Sequence, residues 1–137
     1  MIITLFKVSM RIERDQDVVP FRNRVKEYAV KIKMGIVNQT KLITAASELV
    51  RNMLKYAKGG EALIEIVTQG RYNGVRLSFK DQGSGISDID LAMKDGYSTE
   101  KSLGLGLPGA KRLVDDFNII SNVGHGTTVV VIKWANG

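Results

Sequence analysis

Residues 62–80, ALIEIVTQGRYNGVRLSFK, decide the fold. Within them Ala62–Thr68 and Val75–Lys80 alternate apolar and polar side chains, the two-residue period of a strand with one face buried. Between the runs stands Asn73-Gly74, the dipeptide best suited to the positive φ values of a tight hairpin turn. The stretch therefore predicts a hairpin turning at Asn73-Gly74. Strands joined by hairpins run antiparallel, so the sheet built on this pair is predicted to be mixed and mainly antiparallel.

On the N-terminal side, Leu5, Lys7, Ser9 and Arg11 alternate with Phe6, Val8, Met10 and Ile12, which predicts an opening strand. From Asp17 to about Met34 the period becomes helical. Asp17 is the expected N-cap, Pro20 lies in the first turn, Phe21, Val25, Tyr28 and Ile32 fall at helical spacing, and Gly35 is expected to end the helix. A second helix is predicted from near Asn38 to about Ala57, with Leu42, Ala45, Ala46, Leu49, Met53 and Tyr56 on one stripe and Gly59-Gly60 closing it. On the C-terminal side the pattern predicts a short helix over 87–94, a glycine-rich stretch, a helix from about Leu107 to Phe117, and two strands around Gly124-His125-Gly126. Repeats, linkers and low-complexity segments are absent from the sequence. The expected architecture is one α+β domain over 1–137, a two-layer sandwich with helices packed on one face of the sheet.

A chain of 137 residues can bury one core and not two, so one site is expected. With 44% hydrophobic and 25% charged residues it reads as globular rather than disordered. It carries neither an apolar run of about 18 residues nor the order of a signal peptide, so a cytoplasmic location without a membrane partner is expected. Cysteine is absent and His125 is the single histidine, which excludes disulfides, thiolate chemistry and Cys/His metal centres and leaves a hard cation bound through oxygen. The net charge of +6 draws on Arg22, Arg24, Lys26, Lys31 and Lys33, a helical run opposed by Glu27. Without interleaved aromatics this run reads as a solvated or acid-docking face, and no nucleic acid is expected as partner.

Eight of the 14 glycines lie between Gly83 and Gly126, mostly in the clusters Gly83-Ser84-Gly85, Gly104-Leu105-Gly106-Leu107-Pro108-Gly109 and Gly124-His125-Gly126. Glycine lets backbone approach a ligand closely, and successive N–H groups can cradle phosphate oxygens, more so where the loop runs into a helix N-terminus. Neither the P-loop nor the dinucleotide fingerprint is present, and any one cluster alone fits a plain turn as well as a phosphate loop. Asp81 ends an alternating strand just before Gly83. A carboxylate there can accept a hydrogen bond from adenine's exocyclic amine and would oppose guanine's carbonyl, although a turn-capping Asp fits the same position. At about 100° per residue Glu48 and Asn52 lie about 40° apart at the margin of the apolar stripe. An Asn oxygen can complete a Mg²⁺ octahedron of phosphate oxygens and water. A glutamate one turn earlier can orient or deprotonate a hydroxyl, and Arg51 or Lys55 can meet phosphate charge. An ordinary polar helix face with i,i+4 pairs is the competing reading of these four residues.

Glu48-x-x-x-Asn52, Asp81-x-Gly83-x-Gly85, Gly104-x-Gly106 and Gly126-Thr127, in this order, resemble the N, G1, G2 and G3 boxes of the GHKL ATPase superfamily, which includes gyrase, Hsp90, histidine kinases and MutL. Within it Ser47–Asn52, Asp81-Gln82-Gly83, Gly104–Leu113 and Ile132-Lys133-Trp134 are similar to the small serine/threonine kinases of bacterial stress-response partner switching. The resemblance implies the Bergerat fold with ATP and Mg²⁺. By position it implies Asn52 as metal ligand, Glu48 as catalytic base and Asp81 on the adenine amine. Gly83, Gly85 and Ile86 would line the base pocket. Gly104, Leu105, Gly106, Leu107 and Gly109 would flank the phosphates, and Thr127 or Thr128 would sit beside the Asp. Residues 86–103 correspond to the ATP lid, and Ser87 departs from the proline many relatives carry there. The implied partners are a STAS-domain antagonist phosphorylated on serine or threonine, in a stressosome-like assembly, and a PP2C-type phosphatase. Two other readings share the site. One is an anti-sigma factor that sequesters a sigma factor; the other is a histidine-kinase catalytic domain, for which His125 in a turn supplies no phosphoacceptor helix.

Overall fold

The computed structural model describes residues 1–81, 106–122, 124 and 126–136. The expected short helix over 87–94 and the lid lie outside the described residues. Five strands and three α-helices follow one another as β1 (Ile3–Ile12), α1 (Val18–Lys31, preceded by a 3₁₀ turn at Asp15–Asp17), α2 (Ile36–Ala57), β2 (Gly60–Gln69), β3 (Tyr72–Asp81), α3 (Gly106–Leu113), β4 (Asp116–Asn122) and β5 (Gly126–Trp134). The strands form one sheet in the order β1-β2-β3-β5-β4, antiparallel at each of these pairings. Among the described residues no helix is long and apolar enough to cross a membrane.

The hairpin is where the alternation predicts it, but its turn is not. Gln69 pairs with Tyr72, so the turn residues are Gly70-Arg71, with Gly70 at φ 61°. Asn73 and Gly74 lie inside β3, opposite Thr68 and Val67. Gly74 is a glycine for a different reason: it also faces Trp134 of β5, and a Cβ on it would lie 2.7 Å from the indole Cε3. The residue marks a close approach of a ring to backbone, which a turn-forming dipeptide mimics in sequence.

Three helix ends also differ. α1 stops at Lys31, because Lys33 takes a left-handed φ of 60° while its N–H bonds Val30 O and that of Met34 bonds Ala29 O. This is a Schellman closure with lysine in the position glycine usually fills; Gly35 instead precedes α2 in extended conformation. At the other end of α1, Asp17 occupies the N-cap position without capping. Its Oδ2 accepts the N–H groups of Glu13 and Arg14, at 2.9 and 3.0 Å, and these bonds hold its carboxyl below the usual aspartate range. α3 ends at Leu113, short of the expected Phe117, which pairs with Val131 in β4. Phe117 and Ile119 both pack on the core, so the segment obeys the strand period.

The core lies between the helices and one face of the sheet. Phe21, Val25 and Ala29 from α1 and Leu42, Ala45, Ala46, Leu49, Val50 and Met53 from α2 meet Ile64, Val75, Leu77, Phe79, Val129 and Val131. Phe21 and Phe79 pack edge to face with centroids 5.6 Å apart. On the opposite face Arg76 donates from Nε and Nη2 to the two oxygens of Glu65, at 2.9 and 3.0 Å, and Thr4 Oγ1 donates to Glu65 Oε2 at 2.7 Å.

The first prediction concerns Gly74. Its replacement by alanine drives a methyl into the Trp134 ring, and overpacking of this kind costs about 1–3 kcal/mol; urea unfolding checks it. The second concerns Glu65, whose carboxyl is held below its ordinary value chiefly by the Arg76 hydrogen bonds, against burial. A lowered folded-state value adds stability above the unfolded-state value and loses it as pH falls through the folded one. Glu65→Gln is therefore expected to lose about 1–3 kcal/mol at neutral pH, with the gap to wild type closing in acid below the ordinary glutamate range, as read from urea midpoints at several pH values.

Candidate functional site

α2 carries its apolar stripe against the sheet, and the margin of that stripe brings up Glu48 and Asn52, both half-buried, with Arg51 and Lys55 exposed beside them. The helix is anchored at this level by Met53. A Cβ on Gly60 would come within 2.9 Å of Met53 Sδ, so the helix turn that holds Asn52 sits directly over Gly60. Gly60 is in turn the cross-strand partner of Asp81. The helical amide and the strand-end carboxylate thus belong to one corner of the molecule.

Asp81 is fixed by β5. Its Oδ1 accepts the backbone N–H of Thr127 at 3.1 Å. Side chains alternate along a strand. Thr127 therefore shares the helix-facing side of β5 with Val129 and Val131, whereas Thr128, paired with Lys80, faces the other way. Of the two threonines left open by the sequence, Thr127 is the one beside Asp81. Its hydroxyl lies 2.8 Å from that of Ser121 on β4, a neighbour that no motif announced.

The third wall is α3, which packs on α2. Pro108, Gly109 and Ala110 are buried in it, and Leu107 is half-buried against the core. Gly106 opens the helix at φ 43°, a left-handed conformation in which an L side chain is strained. The first-turn N–H groups of such a helix have no partner within it and attract anions. Gly83, Gly85, Ile86, Gly104 and Leu105 lie outside the described residues; of the expected set the structure describes Glu48, Asn52, Lys55, Asp81, Gly106, Leu107, Gly109 and Thr127, joins Asp81 to Thr127 by a hydrogen bond, and sets Lys55 on a cavity between α1 and α2 that none of the others lines.

The donor set fits a nucleotide with a hard cation. Among the described residues no group of three His, Cys, Asp or Glu side chains gathers to hold a metal. A single helical amide oxygen suits an ion such as Mg²⁺ that takes most of its ligands from phosphate and water.

Comparison with known proteins identifies the family and the fold. Residues 37–136 match the family model for the histidine kinase-, DNA gyrase B-, and HSP90-like ATPases. The chain is 42% identical over 125 residues to the serine/threonine-protein kinase RsbT of Bacillus subtilis (strain 168), covering 91% of this chain and 94% of that one. It is 28% identical over 119 residues to the anti-sigma F factor of Anoxybacillus flavithermus, covering 82% and 80% of the two chains. Among solved structures, the RsbU and RsbW domains of Rv1364c from Mycobacterium tuberculosis match with a TM-score of 0.66 at 19% identity. That match covers 94% of this chain and 32% of the larger one, and bears on the fold.

Proposed function

The chain belongs to the family of histidine kinase-, DNA gyrase B-, and HSP90-like ATPases, and from that premise we propose that it is an ATP- and Mg²⁺-dependent protein serine/threonine kinase of a bacterial partner-switching pathway. The observation that carries the reading is the corner formed by Asp81, held by Thr127 N–H, under the α2 turn that bears Asn52. The likeness to a serine/threonine-protein kinase over nearly the whole length of both chains supports the reaction type.

In this reading the Asp81 carboxylate accepts the adenine amine and rejects guanine, whose carbonyl would face an acceptor. The Thr127 N–H fixes the rotamer that does so. Gly106, Leu107 and Gly109, with Gly83, Gly85, Ile86, Gly104 and Leu105, shape the base and phosphate pockets. Asn52 and Lys55 meet the phosphates from α2. Mg²⁺, when held by Asn52 and phosphate oxygens, neutralises charge on the group being transferred. Glu48, one turn before Asn52, orients the acceptor hydroxyl and takes its proton. The proposed acceptor is a serine or threonine of a STAS-domain antagonist, and a PP2C-type phosphatase is the proposed second partner, activated by the released kinase.

The likeness to anti-sigma F factors favours a second reading, in which the same nucleotide corner serves a chain that sequesters a sigma factor. Labelled ATP separates the two: transfer to a STAS protein with no stable sigma-factor complex supports the first, and the reverse supports the second.

Three substitutions test the assignments. Asp81→Asn is expected to weaken ATP binding about 10–100-fold by calorimetry, the loss of a charge-assisted bond. Asn52→Ala is expected to abolish Mg²⁺-dependent transfer. Glu48→Gln is expected to bind nucleotide normally while transfer falls about 10²–10⁴-fold in single-turnover assays. Wild-type transfer by either of the last two removes the role assigned to that residue.

A further inference from the structure

Among the described residues β1 is an edge strand, with β2 on its one paired side. The register shift between Thr4 and Phe6 and the exposed Lys7 and Arg11 are devices that deter a further strand from adding there. The helix-facing side of β1 is less protected. Val8 lies opposite the core residue Ile64, so Phe6, Val8 and Met10 point to the side of the sheet that the helices occupy. The helical layer stops short of them. α1 packs on β2 and β3; Val8 and Met10 remain half-buried, and Phe6 is 53% exposed. Tyr28 of α1, also half-buried, continues this apolar ledge from the helix. Packed helices lie with axes about 8–10 Å apart, close to two strand spacings. A further helix set beside α1 would therefore lie over β1, along the ledge.

The rim of the ledge is basic. Lys31 reaches over Phe6, its ammonium 4.6 Å from the ring centroid, which identifies the flank of α1 beside β1. Arg24 stands two turns before Lys31 on that same flank, with Tyr28 between them, and both cations are exposed. Arg24 pairs with Glu27 at 3.3 Å in solvent, an interaction weak enough to be exchanged for another carboxylate. Cations bordering an apolar strip complement a helix whose apolar stripe is bordered by acids. A second copy of this chain would bring the same cations to the interface and set one charge of +6 against another, which opposes self-association. We propose that the ledge formed by β1 and α1 is a docking site for an acidic amphipathic helix of a partner protein, with Phe6, Val8 and Met10 receiving its apolar stripe and Arg24 and Lys31 its carboxylates. The inference goes beyond the nucleotide reading and does not depend on it. β3, which ends at Asp81, stands two places from β1 in the sheet, so the helix and the nucleotide have separate seats.

The test uses the purified full chain and a fluorescein-labelled synthetic peptide of about 18 residues, long enough to form a helix on a surface. Leucine occupies its i, i+3, i+4 and i+7 positions and glutamate the rest. A shuffled isomer without the helical period, a version with lysine for glutamate, and phosphatidylglycerol vesicles are the further probes. The glutamate peptide is expected to bind saturably by fluorescence anisotropy and to move the Met10 methyl resonance, which the shuffled isomer leaves in place. Phe6→Ser is expected to weaken binding about tenfold or more through lost apolar contact, and Lys31→Glu about tenfold through reversed charge. ATP uptake by calorimetry is expected to stay unchanged in both, which also shows that they fold. Lys26→Glu makes the same charge change on the opposite flank of α1, and Ile120→Ser removes an exposed apolar side chain from the far edge of the sheet. Each of these is expected to bind within about threefold of wild type. Absence of saturation, or equal weakening by Lys26→Glu or Ile120→Ser, overturns the site. Equal binding of the shuffled or the lysine peptide overturns the acidic helix as its occupant. Vesicle binding that Phe6→Ser abolishes assigns the ledge to a lipid surface, and a dimer in sedimentation that Phe6→Ser dissolves assigns it to a second copy; either result overturns the proposal. Loss of peptide binding with ATP uptake intact sinks the docking site alone, whereas peptide binding by a chain that takes up no ATP sinks the nucleotide reading and leaves the docking site standing.

Discussion

Helix α2 must bury an apolar stripe on the sheet and keep polar groups at that stripe's margin, and the candidate site follows from where the stripe ends. Ala45 and Ala46 are fully buried and small, which suits a helix set close to the strands; Met53, near the far end, rests over Gly60. A side chain at residue 60 would run first into the Lys80 carbonyl oxygen of β3 and then into Met53 Sδ, so both the strand pairing and the seat of the helix ask for glycine there. The Met53 contact places the turn that bears the amide over this strand end. Glu48 inherits its position from the same contact, because four residues along an α-helix return to nearly the same face.

A second constraint acts at right angles to the first. The register of β3 against β5 puts Lys80 opposite Thr128, which leaves Thr127 N–H beside the last residue of β3. That donor goes to Asp81 Oδ1. A slip of one residue would turn Thr127 and the core residues Val129 and Val131 to the opposite face together, so the burial of those two valines protects the orientation of the carboxylate. The core and the site are specified by one register.

The order of elements, the antiparallel pairing and the stripe on α2 were legible because each is a periodic property of many residues. The errors fall on single residues whose local chemistry has two explanations. Asn73-Gly74 carries a turn signal, yet Gly74 answers to the Trp134 ring, a contact 60 positions away in sequence. Gly35 looks like a helix stop, but Lys33 accepts the left-handed conformation two residues earlier. Phe117 suits a helical period from Leu107 and a strand period with Ile119, and the pairing with Val131 decides between them. The motif boxes singled out Glu48, Asn52 and Asp81 as candidates through residue type and order alone. Ser121 and the sealed Nε of Arg22 left no trace in the sequence, since serine and arginine are ordinary surface residues and their burial is a product of the fold.

The basic character of the chain can be divided by what its cations face. Arg76 is spent on Glu65, and Lys133 Nζ reaches Asp115 Oδ1 at 3.2 Å. Lys31 lies over the Phe6 ring at 4.6 Å, and Arg24 pairs with Glu27 in solvent. Exposed pairs of the last kind add little stability, so those charges are available to shape the long-range field that draws acidic partners. Arg22 and Arg51 line the cavity between α1 and α2 together with Lys55 and Asp15, and Arg51 and Lys55 are exposed there. The least exposed cations of the sheet, Arg76 and Lys133, are paired, so the excess behind the +6 of the sequence rests on exposed side chains such as those of α1.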